Sequence, residues 1–155
     1  HMAVQGRSNL DTRPFITYTL NAVRKDQETI LTNAARTTPL ASRTLMSKVA
    51  ASGKWVPFTD ETAVDGTGIP QGIYDPEGVR GDIAAADIAA GDVADVPIVI
   101  YGAIFDKDRI VIENSKTLNT VIGATTVQAR TVSDVLRERA LIAEDQISVS
   151  QYENS

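Results

Sequence analysis

Five glycines (Gly66, Gly68, Gly72, Gly78 and Gly81) and two prolines (Pro70 and Pro76) fall within the twenty-two residues 61–82. Glycine in a helix interior costs about 1 kcal/mol and proline about 3, so no long helix crosses the middle of this chain. Asp65-Gly66, Ile69-Pro70 and Asp75-Pro76 are turn dipeptides, and the chain between them is left with short extended pieces around Ile69 and Ile73-Tyr74. Short strands joined by tight corners are what a small barrel or sandwich uses.

The neighbouring segments agree with a β-rich domain. Val96 to Phe105 reads VPIVIYGAIF, almost wholly apolar and rich in Val and Ile. It is predicted to be a central strand or a pair of them, with Pro97 near the start and Gly102 at a bend or bulge. Asp106-Lys107-Asp108 is then expected to turn the chain, and residues 109–113 to return, so that Ile98 to Ile112 forms a hairpin. LMSKVA, from Leu45, alternates moderately, and Gly53 turns the chain before Trp55, Val56 and Phe58. One segment reads as helix: Thr131 or Ser133 caps it, Asp134 sits in its first turn, and Val132, Val135, Leu136 and Leu141 are spaced for one face. That helix is expected over 132–142, followed by a last strand in QISVSQY, residues 146–152. The fold class is therefore mainly β with one helix in the C-terminal region (α+β).

The front of the chain differs in kind. TRPFITYTL, residues 12–20, alternates Ile16, Tyr18 and Leu20 with threonines, while polar stretches flank it on both sides. Residues 1–38 are read as an N-terminal arm containing one strand-forming segment, and 39–155 as the β-rich domain; an edge strand of the domain's own sheet is the plainer alternative for 12–20. His1-Met2 reads as the remnant of a cleaved tag.

Charge and composition narrow the chemistry. There is no cysteine and the one histidine is His1, which excludes thiolate metal sites, cysteine nucleophiles and a Ser-His-Asp triad. Residues 1–60 hold eight basic and four acidic side chains; the remainder holds seven and sixteen. Such a dilute basic front is a weak basis for nucleic-acid binding, and none is expected. No apolar run of eighteen residues and no leader-like block is visible, so neither a membrane span nor a signal peptide is expected. Asp82, Asp87 and Asp92 recur every five residues. That spacing matches neither a helix face nor a strand face and lacks the calcium-loop pattern, so turn-capping carboxylates are the expectation and a cation site the alternative. Those three residues are also the candidates for a carboxylate hydrolase, although nothing around them would raise a carboxyl pKa.

Taken in order, Ser52-Gly53-Lys54-Trp55-Val56-Pro57, the turn region Asp65 to Ile73 (DGTGIPQGI), Asp87 to Gly91 (DIAAG) and the Val/Ile strand with Tyr101-Gly102-Ala103 resemble the lambda-type head decoration proteins of tailed phages. The similarity covers about Leu45 to Glu113 and lies in the sequential order of short motifs. The long front segment and an extended loop after Gly72 depart from the family pattern. The resemblance implies a lambda-decoration-like barrel or sandwich, forming a homotrimer on the outside of the expanded capsid. It also implies bridging of major capsid protein subunits without catalysis, cofactor or metal, in a virion assembled in a bacterial cytoplasm. On that basis Arg13, Phe15, Ile16, Tyr18 and Leu20 are expected to touch the shell through an added strand. Trp55, Phe58, Ile69, Ile73 and Tyr74 are expected in the core or between protomers. The competing reading is a ligand- or carbohydrate-binding β module that stacks sugars on Trp55, Tyr74 and Tyr101.

Overall fold

The structure is a computed structural model, and it describes residues 14–76, 80–123 and 129–145. The strands are β1 (Ile16–Ile30), β2 (Leu45–Lys48), β3 (Trp55–Pro57), β4 (Pro70–Tyr74), β5 (Val93–Asp106), β6 (Val121–Ile122), β7 (Arg130–Thr131) and β8 (Leu141–Glu144). Two short helices, α1 (Ala85–Ala90) and α2 (Val132–Arg137), complete a mainly β, α+β fold. The main sheet runs β1-β3-β2-β4-β5-β8, and β1 also pairs with β5, so the first five strands in that order close on themselves as a small barrel. The pair β6-β7 stands apart as a second sheet.

The near-continuous apolar run of β5 has a direct cause. Leu45, Ile73 and Val99 belong to one buried cluster, with Phe15, Phe58 and Phe105. Their chain neighbours Met46, Tyr74 and Ile98 belong to a second, with Ile30, Trp55 and Ile88. Successive strand residues point to opposite faces, so β2, β4 and β5 are covered on both sides and cannot alternate apolar with polar. α2 supplies Val132, Val135 and Leu136 to the first cluster, while α1 supplies Ile88 to the second.

Both edges of β5 are occupied, and this explains why the expected hairpin does not form. β1 lies antiparallel along one edge from Phe105 to Val93. The other edge takes β4 at Ile98 and Val99 and then β8, in parallel, from Ala103 to Asp106. After the turn at 107–109 the returning chain instead reaches β2's side: Leu45 N–H donates to Val111 O at 2.8 Å, and Val111 N–H donates to Arg43 O at 3.0 Å. Gly102 has φ +73, and a Cβ there would lie 2.7 Å from Ala22 Cα, so only glycine fits where β1 bulges against β5.

The helix expectation is correct in position and too long. Thr131 forms a capping box with Asp134: the Asp134 N–H donates to Thr131 Oγ1 at 3.2 Å, and the Thr131 N–H to Asp134 Oδ2 at 3.0 Å. α2 ends at Arg137 because Ala140 takes φ +52 and Leu141, fully buried, pairs with Ala103 in the sheet. The expected last strand over 146–152 lies outside the described residues. α1 is an addition to the one helix expected, and its alanine content and one buried isoleucine, Ile88, account for it.

The division at residue 38 also changes. Phe15 and Ile16 are buried, and residues 16–30 form a strand of the barrel itself, so the plainer edge-strand alternative holds for the described part of TRPFITYTL. Leu31 N–H donates to Trp55 O at 2.9 Å, and Leu40 exchanges backbone hydrogen bonds with Ile83. The chain from 15 to 40 is thus stitched to the domain. Residues 1–13 of the expected arm lie outside the described residues.

Candidate functional site

Of the residues expected to meet a shell, Arg13 lies outside the described residues and the other four separate along β1. Phe15 and Ile16 pack into the first cluster, Phe15 with its ring centroid 5.8 Å from that of Phe105 and beneath the Arg109 guanidinium. They are therefore core side chains, not contacts waiting for a partner. Tyr18 is half-buried and its hydroxyl donates to Asp75 Oδ2 at 3.0 Å. Leu20 alone is fully exposed, at 105% of its reference area.

Leu20 occupies a bulge. The register passes from Tyr18 opposite Ala103 to Val23 opposite Tyr101, so four residues of β1 span the single step past Gly102. Val23 and Tyr101 face each other across the pair and are 40% and 44% exposed. Leu20, Val23 and Tyr101 therefore place apolar surface on the β1–β5 ribbon, beyond the part of β5 that α2 and β8 cover. The sequence alternation singled out Leu20. Val23 was missed, because the bulge that brings it opposite Tyr101 is set by Gly102, far along the chain.

The second group of candidates resolves mostly into core. Trp55, Phe58, Ile73 and Tyr74 are each at most 1% exposed, whereas Ile69 is 41% exposed. Trp55 Nε1–H donates to Glu28 Oε1 at 3.1 Å, and Lys48 Nζ sits 5.2 Å from the indole centroid. The Tyr74 hydroxyl donates to Gly81 O at 2.6 Å, and burial raises its pKa above the ordinary phenol value. Of the two places expected for these four, the core or between protomers, the structure puts them in the core. The same burial removes Trp55 and Tyr74 as sugar-stacking platforms and leaves Tyr101 as the one exposed ring of that set.

The three periodic aspartates do not converge. Asp82 Oδ1 accepts from the N–H and hydroxyl of Ser42 at 2.8 and 3.1 Å. Asp92 accepts from Lys54 Nζ at 2.6 Å and from Thr32 N–H at 2.8 Å; the lysine first, then the amide, lower its pKa. Asp87 lies in the first turn of α1. Among the described residues no group of three or more His, Cys, Asp or Glu side chains is placed to hold a metal ion. Asp82 and Asp92 instead tie residues 32, 42 and 54 to the 82–92 region across 38 to 60 positions, which are long-range ties and not the turn caps expected of them.

A cleft of about 150 Å³ is lined by Ile30, Leu40, Val56, Ile88, Arg36 and Glu113 among others. Its charged pair is internally satisfied, since Arg36 also donates to Thr38 O and Pro39 O. A shallower hollow of about 330 Å³ lies over Ile110, Ile112 and Leu118, rimmed by Lys107 and Lys116. These lysines pair with Asp145 and Glu61. No helix among the described residues is long and apolar enough to cross a membrane. Compared with protein-family models, with curated proteins and with solved structures, the chain matches none of them.

Proposed function

We propose that this protein is a structural decoration protein, which binds the outside of an expanded phage head as a homotrimer and holds neighbouring major capsid protein subunits together. The observation that carries the reading is the exposed apolar ribbon of Leu20, Val23 and Tyr101, set beside the lambda-type motif order of Leu45 to Glu113. Protein-binding surfaces favour exposed apolar and aromatic anchors within polar surroundings. The acidic side chains elsewhere serve the fold: Asp82, Asp92, Glu113 and Asp75 each accept from a partner in the domain.

A clamp of this kind works by surface complementarity and by repetition. Three copies on one body convert weak single contacts into tight retention, because the second and third contacts are made at a high effective concentration. The barrel holds the contact surface in place, and residues 1–13 are assigned a further contact with the shell. Removing residues 1–38 would take β1 out of the barrel, so the informative deletion is 1–13. The test is light scattering at micromolar concentration together with shell attachment of the 1–13 deletion. The proposal expects a mass three times that of the chain, and a deleted protein that stays folded and trimeric but loses attachment. A strict monomer contradicts the clamp, and undiminished attachment removes the front segment from it.

A further inference from the structure

β1 is fastened at its two ends to two different cores. Phe15 and Ile16 are buried in the cluster that holds Phe105, and Ile30 is buried in the one that holds Trp55 and Ile98. Polar contacts repeat the pattern, from Tyr18 to Asp75 near one end and from Glu28 to Trp55 near the other. Between these anchors, from Thr17 to Thr29, no residue is buried. The register with β5 shifts four times along the strand. One shift falls between Lys25 and Glu28, opposite Pro97, whose missing N–H cannot complete the ladder. Another is the bulge at Gly102. Towards β3, β1 pairs only at Ile30 with Trp55, which leaves the rest of that edge without a strand partner among the described residues.

We infer that residues 19–27 form a strap that opens from β5 while the barrel stays folded. Local opening is governed by the apolar contacts and hydrogen bonds lost in the open segment. Within 19–27 no residue is buried, so opening gives up ladder bonds to β5 but draws no side chain out of either core, and the two hydrophobic anchors remain seated. Opening uncovers the backbone groups of β5 from Ile98 to Tyr101. The inference does not rest on the proposed function: it concerns a motion of the isolated protein.

The experiment is native-state hydrogen exchange on the full chain, followed residue by residue by NMR. Amides of 19–27 are expected to exchange on the order of 10³-fold faster than those bonded between β4 and β5, as are the β5 amides donated towards β1. Exchange of 19–27 at the same rate as the β4–β5 amides overturns the inference, and this measurement needs no variant. A chain without cysteine also allows a lock, Val23→Cys with Tyr101→Cys, at a pair in direct register. Oxidation should slow exchange across 19–27 by roughly tenfold or more and reduction should restore it. An oxidised lock that exchanges at the wild-type rate overturns the inference too. Shell attachment by the oxidised protein is a separate readout, bearing on the decoration role and not on the strap.

Discussion

Arg36 and Glu113, seventy-seven positions apart, meet in a two-pronged ion pair, Nη1 to Oε1 at 2.7 Å and Nη2 to Oε2 at 2.6 Å. The side chains are only 10% and 21% exposed. Through the further bonds of Arg36 to Thr38 O and Pro39 O, the pair pins the link between β1 and β2 to the segment that follows β5. Planar guanidinium and carboxylate groups match in this geometry in a way that lysine would not.

Glu113→Gln keeps the shape and removes the charge, leaving Arg36 partly buried without its counter-ion. The expected loss is roughly 2–3 kcal/mol, on the low side of breaking a buried pair because Glu113 retains some solvent. Urea unfolding of the two proteins measures it. Equal midpoints would mean that the pair does not hold this linker.

Gly72 tests the packing between β4, β5 and β3. A Cβ there would lie 2.6 Å from Ile98 Cγ2, 3.0 Å from Val99 O and 3.1 Å from the Trp55 ring. Gly72→Ala should therefore destabilise by about 1–3 kcal/mol through overpacking, and it should shift the emission of Trp55, the one tryptophan. Unchanged stability and emission would contradict the close approach.

The pH dependence follows from exposed carboxylates that are lowered by their partners. Asp60 is lowered first by the Thr62 hydroxyl, Glu61 by Lys116, Asp65 by the Thr67 hydroxyl, Asp92 by Lys54, and Asp134 by the Thr131 amide. A group whose folded pKa is depressed binds fewer protons folded than unfolded, so its contribution is present above the unfolded value, about 4, and is lost as the pH falls through the folded one. Lys107 has the opposite sense: Asp145 raises its pKa, so that contribution is present below about 10 and lost above. Melting temperature should fall steeply below pH 4, decline gently in strong alkali, and show no inflection near pH 6.5, His1 being the sole histidine. A midpoint near 6.5 would contradict this assignment.

Leu20→Ser and Tyr101→Ser separate stability from binding. Leu20 is fully exposed, so Leu20→Ser should move stability by no more than about 0.5 kcal/mol, whereas Tyr101, 44% exposed and paired with Val23, should cost about 1 kcal/mol on truncation without unfolding the domain. Retention on shells should nevertheless weaken by tenfold or more, since aromatic and apolar anchors carry most interface energy. Full retention by both variants would remove this ribbon from the binding surface.

Much of the fold was legible because local signals and tertiary demands coincide. The apolar run of β5, the Gly102 kink, the Thr131 cap and the glycine-proline corners each follow from a residue's own physics. The misreadings share one cause, which is that strand pairing is decided at long range. Ile110 to Ile112 has the composition of a returning strand, but both edges of β5 are already taken by β1, β4 and β8. Leu141 fits a helix face and is claimed by Ala103. At the site, alternation showed that Ile16, Tyr18 and Leu20 make a strand. Which of them face outward depended on where Phe105 and Asp75 stand, eighty-nine residues downstream of Ile16 for one contact and fifty-seven downstream of Tyr18 for the other.

Co-sedimentation with expanded and with unexpanded phage heads tests the decoration role most directly. The account predicts that the protein pellets with expanded heads at a fixed, saturable ratio of three chains per site and stays in the supernatant with unexpanded ones. Failure to pellet with expanded heads, or equal pelleting with both, would contradict it.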